Sequence, residues 1–422
     1  MKKNIWIWNH YATDMYKNNG GRHYWFAENL IKQGYSATVF CANTYHNSSS
    51  EIISTKGQKW ISAYAGEIPF VFVKTVAYAG NGLQRVLNML MFYKNLFPVA
   101  KEYAKKNGKP DVILASSVHP LTLVAGIKIA KKFGVPCICE VRDLWPETLI
   151  AYGAIKKKSV IAKILYSGEE WIYKNANKLI FTMEGGKDYI VEKKWNQEAG
   201  GPVNLEKVYH INNGVDIELF DYNKQHYKIE DVDLENIESF KVIYMGAIRQ
   251  VNRVGSLVDV AICLREKGVE RVKILIWGEG DQGDSIQAKI EAEKLTNIVL
   301  KRAVPKEAVP YILSKSNLNV YILPDSSLYK YGISSNKSFE YFASGKPVLA
   351  SANSGYSIID RYQNGVCLDS FAPEKMADEI IRFANLQLEK YETYCRNANH
   401  AAQDYDFKVL TERLLAVMEK CQ

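Results

Sequence analysis

Short apolar segments alternate with helical patterns along the whole chain, and this alternation occurs in two series. The first series has strand-like runs at 4–8, 37–42, 70–76, 111–116, 136–141 and 178–183, with 208–214 at its edge. The second has runs at 240–246, 273–280, 297–304, 318–323, 347–351 and 365–369. Such continuously apolar runs between helices are typical of parallel strands that helices cover on both faces. The sequence therefore predicts an α/β fold with two doubly wound, Rossmann-like parallel sheets.

The chain length of 422 residues suits two domains of about 200 residues each. The polar stretch 221–239 has no clear period and separates the two series, so we expect the interdomain connection there. We predict an N-terminal domain at 1–215 and a C-terminal domain at 216–404. A C-terminal helix at about 405–422 is expected to pack back on the first domain. The carboxyl ends of strands in two facing domains would line a ligand-binding cleft.

Composition excludes several protein classes. Hydrophobic residues make up 47% of the chain and charged residues 24%, which is typical of a globular protein. No apolar run reaches the roughly 18 residues of a membrane span, and the first apolar stretch is too short for a signal peptide. The seven cysteines are scattered without a CxxC pair, so neither a disulfide framework nor a zinc site is indicated. We expect a cytoplasmic protein.

Charge is unevenly divided. Residues 1–215 contain 28 Lys and Arg against 16 Asp and Glu, whereas the remainder contains 26 against 30. A basic half indicates an anionic partner, which could be a membrane surface, a lipid diphosphate or nucleic acid, unless it is an ordinary lysine-rich surface. The segments 81–106 and 155–165 mix apolar and basic residues, which suits interfacial membrane helices or ordinary core helices. The chain has no nucleic-acid recognition module, which disfavours that partner.

The segment Tyr331–Ala350 combines polar residues with the start of a helix and a carboxylate. The helix is predicted to begin within a run of small or polar residues: Ser334, Ser335, Asn336 and Lys337. A helix N-terminus presents free backbone N–H groups and suits phosphate. Glu340, one turn further on, could accept hydrogen bonds from sugar hydroxyls. Phosphate and ribose together indicate a nucleotide.

Glycines follow predicted strands in both halves. Gly21 precedes a helix after the first strand, where it would let the backbone approach a ligand or simply form a turn. The surrounding residues are not GxGxxG, which disfavours a nicotinamide-dependent dehydrogenase. Gly246 follows a strand of the second series, and Glu279 stands between two glycines at another strand end. Backbone groups beside Glu279 could contact a base, although a tight turn without ligand fits equally.

Charged and aromatic residues also lie at predicted strand ends. Arg249 and Arg253 follow Gly246 and could hold a diphosphate through forked hydrogen bonds, or they could be exposed loop arginines. His119 closes a strand and could position a hydroxyl or relay a proton, or be an ordinary buried polar group. Asp143 and Trp145 resemble a sugar-binding pair.

A structural reading of Asp143 and Trp145 is equally consistent with the sequence. In that reading Arg142 forms an ion pair with Asp143 or Glu147, and Trp145 packs in the core.

Taken in order, these motifs resemble glycosyltransferase family 4, whose members are retaining enzymes of GT-B fold. The resemblance is strongest to WbuB-like surface-polysaccharide glycosyltransferases. It covers almost the whole chain and rests on 20–35, 140–147, 211–216, the loop after Gly246, 277–282 and 335–348. It implies a UDP-sugar donor bound mainly by the C-terminal domain and a lipid-linked or saccharide acceptor bound mainly by the N-terminal domain. It also implies that no metal or other cofactor is needed.

The resemblance implies roles for individual residues. Glu340 would hold the ribose hydroxyls, and Gly21 would approach the diphosphate or the sugar. His119 is near the place of a family histidine that contacts the donor sugar. The residues expected near the donor phosphates are Ser334, Ser335 and Asn336.

The chain departs from the family pattern at three positions. Gly332 stands where many relatives carry a glutamate, so the sugar contacts made there must come from elsewhere. Ala247 and Asn252 stand where the family has arginine and lysine. We expect Arg249, Arg253 or Lys337 to stabilise the leaving phosphate instead.

The resemblance implies transfer of a sugar, such as N-acetyl-L-fucosamine or another N-acetylated hexosamine, in capsule or O-antigen synthesis. Peripheral attachment to the inner leaflet through basic amphipathic helices is expected. Two alternatives stay open. One is a UDP-sugar 2-epimerase of GT-B fold, and the other is a non-catalytic nucleotide-sugar-binding scaffold.

Overall fold

The chain divides into two compact units. The computed structural model describes residues 3–80, 82–117, 119–324, 326–352 and 354–421, and Asn81 and Val118 of the predicted segments lie outside these ranges. The first unit comprises Met1–Asn212 together with Phe407–Gln422, and the second comprises Asn213–Asp406. Both are α/β domains built on a parallel sheet, which confirms the predicted fold class.

The first unit contains an eight-stranded sheet in the order β3-β4-β2-β1-β5-β6-β7-β8. Its strands are β1 (Asn4–Trp8), β2 (Ser36–Ala42), β3 (Trp60–Ala65), β4 (Ile68–Val73), β5 (Val112–Ser116), β6 (Cys137–Val141), β7 (Lys178–Phe181) and β8 (Val208–His210). Its helices are α1 (Thr13–Lys17), α2 (Arg22–Lys32), α3 (Leu83–Asn107), α4 (Pro120–Phe133), α5 (Glu147–Ala151), α6 (Val160–Asn175), α7 (Gly186–Glu192) and α17 (Phe407–Glu419).

The central strands of this sheet are buried on both faces, which is typical of parallel strands. In β1, Ile5, Trp6, Ile7 and Trp8 are all fully buried, as a strand covered by helices on each side requires. Strand β3 was not predicted. It pairs antiparallel with β4 at the sheet edge, where its alternating burial leaves one face in solvent.

The C-terminal helix α17 belongs to the first unit. The ring of Phe407, its first residue, lies 4.7 Å from the ring of Trp25 and 5.4 Å from that of Phe26, both on α2. The chain turns at Tyr405 and Asp406, between the last helix of the second unit and α17.

The second unit contains a six-stranded sheet in the order β11-β10-β9-β12-β13-β14, whose described neighbours pair in parallel. Its strands are β9 (Phe240–Met245), β10 (Val272–Trp277), β11 (Ile298–Lys301), β12 (Leu318–Ile322), β13 (Val348–Ser351) and β14 (Gly365–Leu368). Its helices are α8 (Ile217–His226), α9 (Val232–Glu235), α10 (Ser256–Glu266), α11 (Gly283–Ala292), α12 (Val309–Ser314), α13 (Asn336–Ala343), α14 (Ile358–Tyr362), α15 (Pro373–Ala384) and α16 (Leu388–Asp404).

The expectation of an interdomain connection at 221–239 is wrong. That stretch contributes most of α8 and all of α9 to the second unit, which begins at Asn213. Its carboxylates form ion pairs with the sheet. Asp231 lies 2.7 Å from the Lys301 ammonium, and Asp233 lies 2.6 Å from that of Lys273. Its polar composition therefore reflects ion pairing and not a linker.

Across the residues that the structure describes, no helix combines the length and the apolar character needed to cross a membrane.

Candidate functional site

Lys337 lies directly over Gly246 in the second unit. Its ammonium Nζ donates to the Tyr244 hydroxyl at 2.7 Å. A Cβ atom added at Gly246 would stand 2.6 Å from the Lys337 Cε, and the φ angle of Gly246 is +144°. Only glycine combines this backbone conformation with so close an approach. Gly246 therefore makes room at the carboxyl end of β9 for a cation from α13.

Helix α13 is anchored to the sheet by a buried tyrosine. The Tyr341 hydroxyl accepts from the Met245 N–H at 3.0 Å and lies 3.3 Å from the Val320 carbonyl, to which it can donate. Tyr341 is fully buried. These bonds join α13 to the end of β9 and to the middle of β12, so the helix N-terminus has a fixed position beside Gly246.

The predicted phosphate-binding residues lie at this helix N-terminus. Ser335 is the N-cap residue of α13, and its side chain makes no capping hydrogen bond. The Ser334 hydroxyl and carbonyl accept from the backbone N–H and side-chain amide of Asn213, at 3.2 and 2.9 Å. Asn336 begins the helix and is exposed. First-turn N–H groups without a side-chain cap can bind an anion.

Two titratable side chains at this site, Lys337 and Glu340, have pKa values that burial shifts. Burial lowers the pKa of Lys337 to about 8, although Glu340 opposes that shift. Burial raises the pKa of Glu340, and Lys306 and Lys337 oppose this. Within the described ranges no carboxylate lies within 4 Å of the Lys337 ammonium, so its hydrogen-bond partner is the neutral Tyr244 hydroxyl. An anion bound here would interact with a partly desolvated ammonium group, which attracts it more strongly than an ammonium in water would.

We use the name β9–α13 site for the residues thus brought together: Tyr244, Gly246, Ser334, Ser335, Asn336, Lys337 and Glu340.

The other residues predicted for the second unit lie in loops after β9 and β10. The two loops meet where the Ile248 N–H donates to the Glu279 carbonyl at 2.9 Å. The side chains of Arg249 and Glu279 are exposed. Arg253 has a φ angle of +48°, and its guanidinium lies 5.3 Å from the centre of the Phe371 ring. These three residues therefore belong to loops at the same sheet edge.

In the first unit, Glu140 is the centre of a buried ionic network. Its carboxylate accepts from the Arg22 Nε at 2.8 Å, the His23 Nε2 at 2.9 Å and the Ser116 hydroxyl at 2.8 Å. Burial opposes ionisation, but Arg22 and His23 hold the pKa of Glu140 well below its usual value. Strand register explains the Ser116 contact, because Ser116 pairs with Glu140 across β5 and β6.

Gly21 is fixed next to this network. It is the N-cap residue of α2 with a φ angle of +112°, and an added Cβ would be 3.0 Å from the Met15 Cγ. The next residue, Arg22, also donates to the carbonyls of Ile211 and Asn212, at 2.9 and 2.5 Å. The buried contacts of Arg22 with Glu140 and the two carbonyls therefore hold the backbone beside Gly21 in place. Sequence analysis missed Arg22 and Glu140 as a pair because 118 positions separate them.

His119 is paired with a second histidine, which sequence analysis also missed. His10 Nδ1 and His119 Nε2 are 2.6 Å apart, and the Phe92 ring is stacked on His10 at 4.2 Å. Burial lowers both pKa values, that of His119 to about 3, so both rings are neutral near pH 7. His10 follows β1 and His119 follows β5, and these strands are neighbours. The positions of the two histidines after neighbouring strands could have predicted that they meet.

Asp143 and Trp145 line an apolar cavity between α4 and α6. The suggested ion pair of Arg142 with Asp143 or Glu147 is wrong, because no described carboxylate lies within 4 Å of the Arg142 guanidinium. Glu147 instead pairs with Lys193 and accepts from the Tyr166 hydroxyl. In the first unit, Gly21 therefore lies beside the Glu140 network, His119 contacts His10, and the Asp143–Trp145 pair lines the cavity.

No group of three His, Cys, Asp or Glu side chains in the described ranges is arranged to hold a metal ion. Metal independence stays a prediction.

Two family models match the chain, one in each half. Residues 24–219 match the model of Glycosyltransferase Family 4, and residues 228–401 match that of Glycosyl transferases group 1. The probable glycosyltransferase WbjE of Pseudomonas aeruginosa is 21% identical over 272 residues. That match covers 64% of this chain and 63% of WbjE, slightly less than two thirds of each.

Several solved structures share the fold at low sequence identity. The trehalose-phosphate synthase of Burkholderia xenovorans has a TM-score of 0.72 at 12% identity, with 100% of this chain and 99% of that chain covered. The sucrose-phosphate synthase of Thermosynechococcus elongatus has 0.69 at 15%, with 99% of both covered. Anabaena HepE in complex with UDP and glucose has 0.63 at 15%, with 99% of both covered.

The fold and the two adjoining matches define a protein class. A Family 4 glycosyltransferase domain at 24–219 is followed by a group 1 glycosyl transferase domain at 228–401, and the chain has the GT-B fold.

Proposed function

We propose that this protein transfers a sugar from a UDP-sugar to a hydroxyl of a lipid-linked or saccharide acceptor, with retention of the anomeric configuration. The observation that carries the proposal is the β9–α13 site. There a partly desolvated ammonium and an uncapped helix N-terminus lie together at the carboxyl ends of parallel strands. Ligands of doubly wound sheets bind at that edge, and both features suit a diphosphate.

Structural neighbours support UDP as the carrier of the sugar. HepE of Anabaena has been solved with UDP, with UDP and glucose, and with UDP-glucose. In our proposal Lys337 and the N–H groups of Ser335 and Asn336 hold the diphosphate. Glu340, half-buried one turn further on, accepts from the ribose hydroxyls.

The proposed reaction needs no side-chain nucleophile. The bond from the anomeric carbon to the UDP oxygen breaks, and the acceptor hydroxyl forms the new bond on the same face. The hydroxyl proton passes to the β-phosphate as UDP departs. Lys337 and the α13 N-terminus stabilise the charge that develops on the leaving diphosphate. Arg249 and Arg253, in the loop after β9, are further candidates for this role.

We assign the acceptor to the first unit, as the family resemblance implies. His119 would contact the donor sugar, and Asp143 and Trp145 would face the acceptor. The expected donor sugars are N-acetylated hexosamines, N-acetyl-L-fucosamine among them, and the expected product is a surface polysaccharide such as a capsule or O-antigen.

Exposed apolar side chains support attachment to a membrane surface. On α3, Leu83 is 88% exposed, and Val86, Leu87 and Leu90 are also exposed. Apolar residues that face solvent on a helix with basic neighbours are typical of an interfacial helix. Reversing the charges of Arg85, Lys94 and Lys101 should weaken binding to anionic liposomes. Unchanged liposome binding would contradict this part of the proposal.

The proposal is tested by UDP release across a panel of UDP-sugars, with bacterial membranes as the acceptor source. We expect release to depend on one donor and on added acceptor, and to fall strongly in Lys337→Met and Glu340→Gln. Lys375→Met is the matched control, because Lys375 is an exposed lysine on α15 of the same unit. Product NMR should show the donor's anomeric configuration.

The same assay separates the alternatives. An epimerase would interconvert UDP-sugars without acceptor, and a scaffold would bind UDP without releasing any from a UDP-sugar over time. Normal transfer by both Lys337→Met and Glu340→Gln would show that the β9–α13 site is assigned wrongly.

A further inference from the structure

The buried pair of His10 and His119 shares one proton. The facing nitrogens, His10 Nδ1 and His119 Nε2, are 2.6 Å apart, and the two side chains are 0% and 1% exposed. Burial lowers both pKa values, so each ring is neutral near pH 7 and carries a single proton. So short a contact requires a proton between the two nitrogens. That proton belongs either to His10 or to His119.

These two arrangements give opposite character to the second nitrogen of His119. If His10 Nδ1 holds the shared proton, the proton of His119 is on Nδ1, which is then a hydrogen-bond donor. If His119 Nε2 holds the shared proton, His119 Nδ1 has a lone pair and is an acceptor, and the proton of His10 is on Nε2. The state of His10 Nε2 therefore determines the state of His119 Nδ1 at the other end of the pair.

Asn88 on α3 has an amide group whose orientation is fixed. Its side-chain nitrogen donates to the Val76 carbonyl at 2.6 Å and to the Thr44 hydroxyl at 3.2 Å. A backbone carbonyl only accepts, so the amide cannot be turned the other way round. The oxygen Oδ1 is therefore the part of this fully buried amide that remains for another partner.

The Asn88 oxygen favours a proton on His10 Nε2. Asn88 opposes the lowering of the His10 pKa as a hydrogen-bond partner, which is the effect of an acceptor beside the ring. His10 Nδ1 already contacts His119, so Nε2 is the nitrogen that faces Asn88. Within the described ranges neither Oδ1 nor Nε2 makes a hydrogen bond of normal geometry, so this contact is a weak one. It is still enough to favour the arrangement in which Nε2 carries its proton.

Aromatic stacking holds the His10 ring in place. The Phe92 ring lies 4.2 Å from it with the planes 2° apart, and the Tyr11 ring also stacks on it at 4.4 Å. A half-turn of the ring would keep this stacking but would break the contact with His119. Asn88 and Phe92 are four residues apart on α3, so one face of that helix positions both the ring and its Nε2.

His119 Nδ1 needs a partner that the described part of the protein does not supply. His119 follows β5 and is the N-cap residue of α4, at the sheet edge where ligands of such folds bind. Its side chain makes no capping hydrogen bond, and Nδ1 has no hydrogen-bond partner within the described ranges. A buried nitrogen left in this state is unfavourable unless a ligand completes it. A lone pair there calls for a ligand atom that carries a hydrogen, such as a sugar hydroxyl.

We propose that Asn88 and His10 are positioning residues that keep the proton of His119 on Nε2, so that Nδ1 accepts from a hydroxyl of the transferred sugar. The inference rests on the proposed function, in which His119 contacts the donor sugar. It adds the direction of that hydrogen bond and the residues that set it. A sugar that lacks the hydroxyl would leave the lone pair of Nδ1 without a partner.

The first test locates the protons directly. In the full-length protein with isotope-labelled histidine nitrogens, NMR distinguishes a ring nitrogen that carries a proton from one that does not. We expect the proton on Nε2 and none on Nδ1 in both His10 and His119. Asn88→Leu should move part of the population to the form with the proton on His119 Nδ1. Asn95→Leu is the matched control, because Asn95 also joins α3 to a carbonyl, that of Lys74 at 2.7 Å.

The second test compares UDP-N-acetylglucosamine with UDP by calorimetry in the absence of acceptor. His10→Phe keeps an aromatic ring next to Phe92 but removes the acceptor for His119 Nε2. We expect it to weaken UDP-N-acetylglucosamine about two- to tenfold, the contribution of a neutral hydrogen bond, and to leave UDP unchanged. His10→Asn places an oxygen where Nδ1 was and should recover most of the affinity. Unchanged UDP affinity shows that each variant is folded.

Several results would overturn the inference. A proton on His119 Nδ1 in the wild type would reverse the proposed hydrogen bond, and unchanged proton positions in Asn88→Leu would remove Asn88 from it. Wild-type affinity of His10→Phe for UDP-N-acetylglucosamine, or an equal loss of UDP affinity, would make the pair a structural contact only. A wild type that binds neither UDP nor UDP-N-acetylglucosamine would instead contradict the proposed function, and the NMR measurement would still show whether Asn88 and His10 set the proton of His119.

Discussion

The two units treat their buried charges differently. In the first, Glu140 is fully buried and accepts hydrogen bonds from Arg22, His23 and Ser116. In the second, the Lys337 ammonium is partly desolvated but has the neutral Tyr244 hydroxyl as its hydrogen-bond partner. A buried charge whose partners are all supplied by the protein is costly to disturb, whereas a cation whose hydrogen-bond partner is neutral is suited to an anionic ligand. Removal of the charge at Glu140 should therefore lower the stability of the fold. Removal of the charge at Lys337 should instead lower ligand affinity and leave stability unchanged or higher.

The largest effect is expected at the ionic network. Glu140→Gln removes the negative charge that Arg22 and His23 face, and breaking a buried pair typically costs about 3–5 kcal/mol. Urea unfolding should show this loss, with Glu67→Gln, an exposed carboxylate of the same unit, as the control. A loss below about 1 kcal/mol would mean that water or rearrangement replaces the carboxylate.

We also expect the stabilising contribution of Glu140 to depend on pH, and Glu140→Gln serves as the comparison. The folded state lowers the pKa of Glu140, so its stabilising contribution is complete above the unfolded pKa of about 4.3 and is lost as pH falls through the folded value. Wild-type stability should therefore fall more steeply on acidification below about pH 4 than that of Glu140→Gln.

Lys337→Met should have the opposite pattern. A hydrogen bond to a charged group contributes about 1.5–3 kcal/mol, so UDP affinity should fall roughly 10- to 100-fold. Stability should stay unchanged or rise, because burial of the cation is unfavourable and lowers its pKa. Calorimetry and urea unfolding measure the two quantities, with Lys375→Met as the control. A joint fall of stability and affinity would make Lys337 a structural residue.

A smaller effect is expected from Gly246→Ala. The new methyl group would stand 2.6 Å from the Lys337 Cε at a φ angle of +144°, so the lysine must move. We expect a stability loss of more than about 1 kcal/mol and a several-fold loss of UDP affinity. Gly283→Ala is the control, since no atom lies within 4 Å of an added Cβ there. Equal behaviour of the two variants would contradict a close approach at Gly246.

The smallest effect is a pH dependence of UDP affinity. Lys337 is protonated below its pKa of about 8 and loses its charge above it. Affinity should therefore be level below about pH 8 and then decline by at most about tenfold per pH unit. Lys337→Met should lack this decline, and a decline of the same size in the variant would assign the titration to another group.

Local pattern was enough to predict the two sheets and most of their strands. Apolar runs and the glycines after them predicted the strands that end at Gly246 and the helix that carries Lys337 and Glu340. The same reasoning failed for 221–239, because polar composition alone does not distinguish a linker from helices whose carboxylates pair with distant lysines. It also missed β3, whose alternating pattern at 60–65 was present in the sequence.

The sequence by itself determined the fold class, because the period of apolar residues along a chain depends on which faces are buried. It also determined that polar residues would begin α13. Only the tertiary structure decided that Glu140 meets Arg22 and that Lys337 meets Tyr244, since these pairs are 118 and 93 positions apart. Contacts over such separations follow from strand order and register. The partner of a buried charge can therefore be identified only in the folded protein, where residues far apart in the sequence lie together.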